Sequence, residues 1–223
     1  MIDNKVIFNS QTSSTDLCKL GAIFEADKSP YNPRKWQHAY TPFYDLIFSP
    51  IRYKPIVFGE IGIFKNTSMQ MWRKYFPNAI LYGWDHSEEF LQYAKNQQLE
   101  NVHYDYMNVK EETSINESFQ KTNVKFDVII DDSSHEFWDQ IKIIRNAHKY
   151  LNPGGYLIIE DIDRFKNEDD YSSQIWMYNH MLYYNHISFV ETEHKNKFTE
   201  PFDNDKLLVM VRNNTPPFDN PNL

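Results

Sequence analysis

Short apolar runs alternate along the chain with stretches whose apolar side chains recur every three or four positions. The first kind of pattern marks buried strands and the second amphipathic helices. Runs at 56–62, 79–84, 102–104, 126–130 and 156–159 read as five strands. Between them, Met69, Trp72 and Phe76 fall at helical spacing within 68–76, which Pro77 ends. Ser87 caps a second helix reaching to about Gln97. Phe137, Ile141, Ile144, Ala147, His148 and Leu151 mark a third, stopped by Asn152-Pro153-Gly154-Gly155. Upstream, Thr41-Pro42 opens a helix over 42–48. Downstream, an aromatic-rich helix is expected over 172–184, then an antiparallel pair of strands at 187–191 and 206–212. The fold class is α/β, a mostly parallel sheet with helices on both faces. Residues 1–50 are expected to form a helical extension packed on a main domain of 51–212, and the Pro/Asn-rich 213–223 a disordered tail.

Composition narrows the field. A chain of 223 residues, 41% of them hydrophobic, suits one domain with its own core. A formal charge of −8 argues against nucleic acid held through phosphate contacts. The single cysteine, Cys18, excludes a disulfide framework and fits a reducing compartment. Residues 1–15 lack the apolar core of a signal peptide, and no run is long enough to span a membrane. A cytoplasmic, soluble protein without membrane partners is expected.

The chemistry gathers where strands end. Asp131-Asp132-Ser133-Ser134-His135 closes the fourth strand and Glu160-Asp161 the fifth. Neighbouring parallel strands would bring Asp132, Glu160 and Asp161 to one carboxyl edge, where open α/β sheets bind ligands. Three converging carboxylates repel unless a cation joins them, and His135 then stands beside it as a general base. The first strand ends in Glu60-Ile61-Gly62, and a glycine there admits a ligand close to the backbone. Asp85, closing the second strand, is placed to accept from ribose hydroxyls, and Asp105, closing the third, from an adenine amino group. The pattern is not Gly-x-Gly-x-x-Gly, which disfavours a nicotinamide-dependent oxidoreductase.

Several segments together resemble one family. They are Glu60-Ile61-Gly62-Ile63 through Ser68, residues 71–79, Tyr82-Gly83-Trp84-Asp85, Asp131 to His135, and Gly154-Gly155 to Glu160-Asp161. Leu17-Cys18, Asp27-Lys28-Ser29-Pro30 and His38-Ala39-Tyr40-Thr41 add to the likeness. The chain resembles the macrocin/mycinamicin type of metal-dependent sugar O-methyltransferases, within the class I S-adenosylmethionine (SAM) methyltransferases. The resemblance implies a Rossmann-like sheet of seven strands with an antiparallel last strand. It implies SAM held at Glu60, Gly62, Ser68, Asp85 and Asp105. It also implies Mg²⁺, with Mn²⁺ as a substitute, held at Asp132, Glu160 and Asp161, and His135 as the base. Two departures stand out: Asn66 where the family often has glycine, and Ser133 within Asp-Asp-Ser-Ser-His.

The expected reaction is methyl transfer to a sugar hydroxyl, the sugar being nucleotide-linked, part of a surface glycan precursor or part of a glycosylated natural product. Another diol-type acceptor, or an inactive methyltransferase-like binding module, are the rival readings. Asp131 is read as structural, capping the next helix. His38 and Tyr40 are read as packing residues or ligand contacts, and His180 and His186 as uninvolved. Lys28, Arg34, Lys35 and Arg164 are read mainly as solvated surface cations that could meet an anionic carrier. The aromatics of 172–184 fit a core or a homo-oligomer contact.

Overall fold

Each of those apolar runs is a strand of one sheet in the computed structural model, which describes residues 5–163, 166–199 and 206–214. Arg164 and the 213–223 segment from residue 215 onward lie outside the described residues. In chain order the strands and helices are β1 (Lys5–Asn9), α1 (Asp16–Ile23), α2 (Tyr40–Phe48), β2 (Val57–Ile61), α3 (Thr67–Tyr75), β3 (Ile80–Asp85), α4 (Glu88–Asn96), β4 (Val102–Tyr106) and α5 (Glu112–Thr122). They continue with β5 (Phe126–Asp131), α6 (Phe137–Ala147), β6 (Leu151–Ile159), α7 (Glu168–Met177), β7 (Tyr184–Glu193) and β8 (Lys206–Arg212).

The sheet order is β1-β7-β8-β6-β5-β2-β3-β4. Only β8 runs against its neighbours, β6 and β7. The expected mostly parallel sheet with an antiparallel last strand is therefore present, and β7–β8 is the expected antiparallel pair. The strand count differs. An eighth strand, β1, lies parallel to β7 at the edge, from Lys5 beside Phe189 to Asn9 beside Glu193. The segment before residue 51 thus begins with a strand, and helices follow it. β1 left no signal because its side chains are mostly exposed, so no alternation of apolar and polar positions is required of it.

Two apolar layers flank the sheet. Trp72, Tyr44, Phe48 and Phe58 pack among α1 to α4 on one face. Trp84, Phe119, Phe126 and Tyr171 pack with α5 to α7 on the other. Fully burying each such ring is worth roughly 1.5–3 kcal/mol. The expected 172–184 helix is divided. Asn167 caps α7 through a capping box with Asp170, and Asn179 adopts a left-handed conformation that ends the helical path before a short turn over His180–Tyr183. β6 starts at Leu151, so Asn152-Pro153-Gly154-Gly155, expected as a helix stop, lies inside an irregular strand.

The connections reverse direction between β2 and β5, which are hydrogen-bonded neighbours. A crevice opens beyond the carboxyl ends at such a switch point. The strand ends that face it carry the predicted chemistry.

Candidate active site

Gly62 sets the floor of the crevice. Its φ is +89°, and an added Cβ would lie 2.1 Å from the Asp132 carbonyl oxygen. No side chain fits there, so the β2 turn and the Asp132 backbone touch directly. Asn66 precedes α3 in a left-handed conformation, φ +66°. Asparagine tolerates that conformation better than most residues, which accounts for its place where glycine is common. Its amide donates to Gln97 Oε1 at 2.8 Å.

A cavity of about 610 Å³ runs from this turn to the β5 strand end. Its walls include Gly62, Phe64, Asp85, Phe90, Met107 and Asn108 towards one end, and Trp36, Asp132 and His135 towards the other. That volume lies in the range of small-molecule sites. Asp85 Oδ2 accepts from the Phe64 amide at 3.0 Å and Oδ1 from the Ser87 amide at 2.9 Å. Each oxygen keeps a further lone pair for a hydroxyl donor.

Two expected cofactor residues stand differently. Asp105 is not on the cavity wall; it pairs with Lys121 at 2.6 Å and accepts from the Tyr106 amide. Met107 and Asn108, just past the strand end, hold the wall instead. Ser68 donates to Glu60 Oε2 at 2.8 Å, and both residues are buried beneath the cavity.

Beyond β5 and β6, Asp132, His135 and Asp161 each offer a ligand atom within 4.8 Å of the others. His135 Nε2 is 3.9 Å from Asp132 Oδ1 and 4.0 Å from Asp161 Oδ2. Those separations are too long for hydrogen bonds. The two carboxylates are oxygen donors of the kind a small hard cation takes, and His135 stands beside both. His135 (φ +56°) and Asp161 (φ +49°) both hold left-handed backbone conformations. Such strain in side-chain-bearing residues gathers at functional sites.

Glu160, the third expected ligand, is turned inward. Its Oε2 meets Lys28 Nζ at 2.6 Å and its Oε1 accepts from Tyr44 at 2.6 Å. Lys28 also contacts Asp132 Oδ2, and lies 3.3 Å from Glu60 Oε1. Read from sequence as a surface cation, Lys28 is instead 1% exposed. Tyr40 donates to Asp161 Oδ1, and His38 stacks on Tyr40 with its ring 3.9 Å from the same carboxylate. Gln140 on α6 donates to the Glu160 and Asp161 carbonyls, which fixes the β6 strand end. Asp131 accepts from Ser133 Oγ at 2.6 Å and caps no helix. Ser133 thereby has a definite task in the loop. Arg34 pairs with Glu25, and Lys35 stands over the Trp36 ring.

Burial governs the charges here. It pushes the Glu60 carboxyl up to about 7 against the pull of Lys28, and Asp131 up to about 6. It raises Asp132 and Glu160 as well. Burial alone would lower the Lys28 ammonium, but Asp132, Glu160 and Glu60 outweigh it and hold the ammonium above its usual value.

Residues 66–208 match the family described as "Methyltransferase domain". The chain belongs to the methyltransferase-domain family. Among curated relatives, the 8-demethyl-8-(2-methoxy-alpha-L-rhamnosyl)-tetracenomycin-C 3'-O-methyltransferase of Streptomyces olivaceus is 28% identical over 154 residues, 66% of this chain and 37% of that protein. The demethylmacrocin O-methyltransferase of Streptomyces fradiae is 28% identical over 60% of this chain and 35% of its own length. This chain therefore spans little more than a third of either relative. The methyltransferase fold is shared with the MycE methyltransferase from the mycinamycin biosynthetic pathway, solved in complex with Mg and SAH. That match has a TM-score of 0.65 and 18% identity, covering 93% of this chain and 57% of the other. Among the described residues of this methyltransferase domain, no helix is long and apolar enough to cross a membrane.

Proposed function

We propose that this methyltransferase domain transfers the methyl group of SAM to a sugar hydroxyl with the help of a divalent cation. The observation that carries the reading is the single cavity that joins Gly62 and Asp85 to Asp132 and His135. Gly62 and the start of α3 offer close backbone approach and free amide groups, and Asp85 has lone pairs for two ribose hydroxyls. Asp132 and Asp161 are the hard oxygen donors for Mg²⁺ or Mn²⁺, with Glu160 behind them. Imidazole is a poor ligand for so hard an ion, which leaves His135 for the proton.

Methyl transfer from a sulfonium is an in-line displacement. A bound divalent cation supplies Lewis acidity that lowers the pKa of an acceptor hydroxyl and orients it. His135 Nε2, facing the space between the two aspartates, takes the hydroxyl proton. The Gly62 floor holds the cofactor end close to that oxygen, and proximity supplies much of the rate. Trp36 is 43% exposed on the wall of the same cavity, with Lys35 over its ring, so its exposed part can meet the apolar face of a pyranose. Two relatives are O-methyltransferases of rhamnosyl tetracenomycins, which supports a glycosylated small molecule; a nucleotide-linked or polysaccharide-precursor sugar would use the same groups. The buried thiol of Cys18 agrees with a cytoplasmic setting.

Calorimetric titration with S-adenosylhomocysteine, followed by radiolabelled methyl transfer to methyl α-L-rhamnopyranoside and to nucleotide sugars with Mg²⁺, tests the reading. One-to-one binding and metal-dependent transfer are expected. Asp132→Asn and His135→Ala should each lose at least a hundredfold in turnover while S-adenosylhomocysteine affinity stays within about threefold. Folded protein that binds no S-adenosylhomocysteine would overturn the proposal in favour of a binding module.

A further inference from the structure

Lys28 reaches the centre of the site from the segment between α1 and α2, more than 100 residues away in sequence from two of its partners. Its backbone is held in place by the α2 entrance, where the Tyr40 and Thr41 amides donate to the Lys28 carbonyl at 3.1 and 3.0 Å. Its ammonium has three N–H donors and meets three carboxylates on three strand ends: Glu60 of β2, Asp132 after β5 and Glu160 after β6. A buried charge persists only when paired, and here one ammonium is shared among three carboxylates, with Glu60 Oε1 held at 3.3 Å by charge and without a hydrogen bond.

The position of Asp132 gives this contact a consequence beyond packing. Its Oδ2 faces Lys28, while its Oδ1 faces His135 across the space that suits a cation. One carboxylate therefore separates the lysine ammonium from any divalent ion held on the outer side. Like charges that close repel strongly in a buried setting. The ammonium also prevents the carboxylates from driving one another apart when no ion is bound.

We propose that Lys28 is the resident counter-ion of the strand-end carboxylates, a positioning residue that assembles the site before a divalent cation arrives and weakens the binding of that cation. The inference rests on the metal reading above. Substituting Lys28 removes the ammonium shared by buried Glu60, buried Glu160 and half-buried Asp132. Metal-free protein then loses stability, and Ser68 and Tyr44 remain as neutral partners of Glu60 and Glu160, so a divalent ion meets no competing ammonium. A lysine with a merely structural part would lower stability without tightening metal binding.

The test compares wild type and Lys28→Met by thermal melting without and with Mg²⁺, and by Mn²⁺ titration followed by electron paramagnetic resonance. The expected result is a lower melting temperature for metal-free Lys28→Met, a larger rise on adding Mg²⁺ than in wild type, and Mn²⁺ affinity at least tenfold tighter. Should Lys28→Met not fold, Lys28→Met/Glu60→Gln, which removes one charge of each sign, is compared with Glu60→Gln alone, and the same tightening is expected. Wild type binding Mn²⁺ while the Lys28 variants bind it equally or more weakly would overturn this inference alone. Wild type binding no Mn²⁺ would overturn the metal reading and the inference with it.

Discussion

Gly62 shows how much one residue can decide. A methyl group there meets the Asp132 carbonyl and forces a left-handed φ on a side-chain-bearing residue. Gly62→Ala should cost about 2–4 kcal/mol in urea unfolding and remove measurable S-adenosylhomocysteine binding. Asn66 tests the same backbone demand from the other side: Asn66→Gly and Asn66→Ala both lose the bond to Gln97, and the alanine variant should be less stable than the glycine one by roughly 1 kcal/mol, the cost of the left-handed backbone. Trp36→Ala should raise KM for a sugar acceptor about five- to tenfold, on the scale of aromatic contacts, and leave cofactor affinity unchanged. The strand-end acids were legible because an apolar run followed by a carboxylate announces both a strand and its edge. Lys28, Tyr40 and Tyr44 were not, since nothing in a lysine between helices or a tyrosine within α2 tells which distant carboxylate it meets. Asp105 misled for a related reason: it shares the strand-end position, but Lys121 holds its side chain at the surface.

Among elements, legibility followed burial. β2, β3, β5 and β6 carry apolar runs because helices cover both faces of the sheet there. α5 was missed because its inner face rests on little more than Ile115 and Phe119 within an otherwise polar stretch. The turns after α6 and α7 hold a pair of buried histidines. His148 stacks on Tyr183 at 4.4 Å between ring centres and lies 5.1 Å from His180. Burial, then the nearby cations, brings His148 down to about 3 and His180 down to about 4. An unfolded histidine titrates near 6.5. Between these values the unfolded chain binds more protons, so this stability is present above about 6.5 and is lost as pH falls towards 4. The urea midpoint of wild type should therefore fall more steeply from pH 7 to 5 than that of His148→Gln/His180→Gln.

For the molecule as a whole, the α/β class and the doubly wound sheet followed from alternating strand and helix patterns. The eighth strand did not, because its pairing with β7 is a long-range event without a local pattern. Ligand linkage acts at this scale too. S-adenosylhomocysteine at about 100 times its Kd should add about 2.7 kcal/mol to unfolding stability, visible as a concentration-dependent melting temperature. The route of the chain across the sheet has another outcome. During synthesis Lys28 leaves the ribosome before Glu60, Asp132 and Glu160, and β1 before the strand it joins. α1 can dock on α2 and α3 as soon as they emerge, whereas β1 must wait for β7. A nascent chain halted before Glu160 would carry the Gly62 turn and lack one of the three carboxylates that meet Lys28, so the charge centre closes only after β6 has been made.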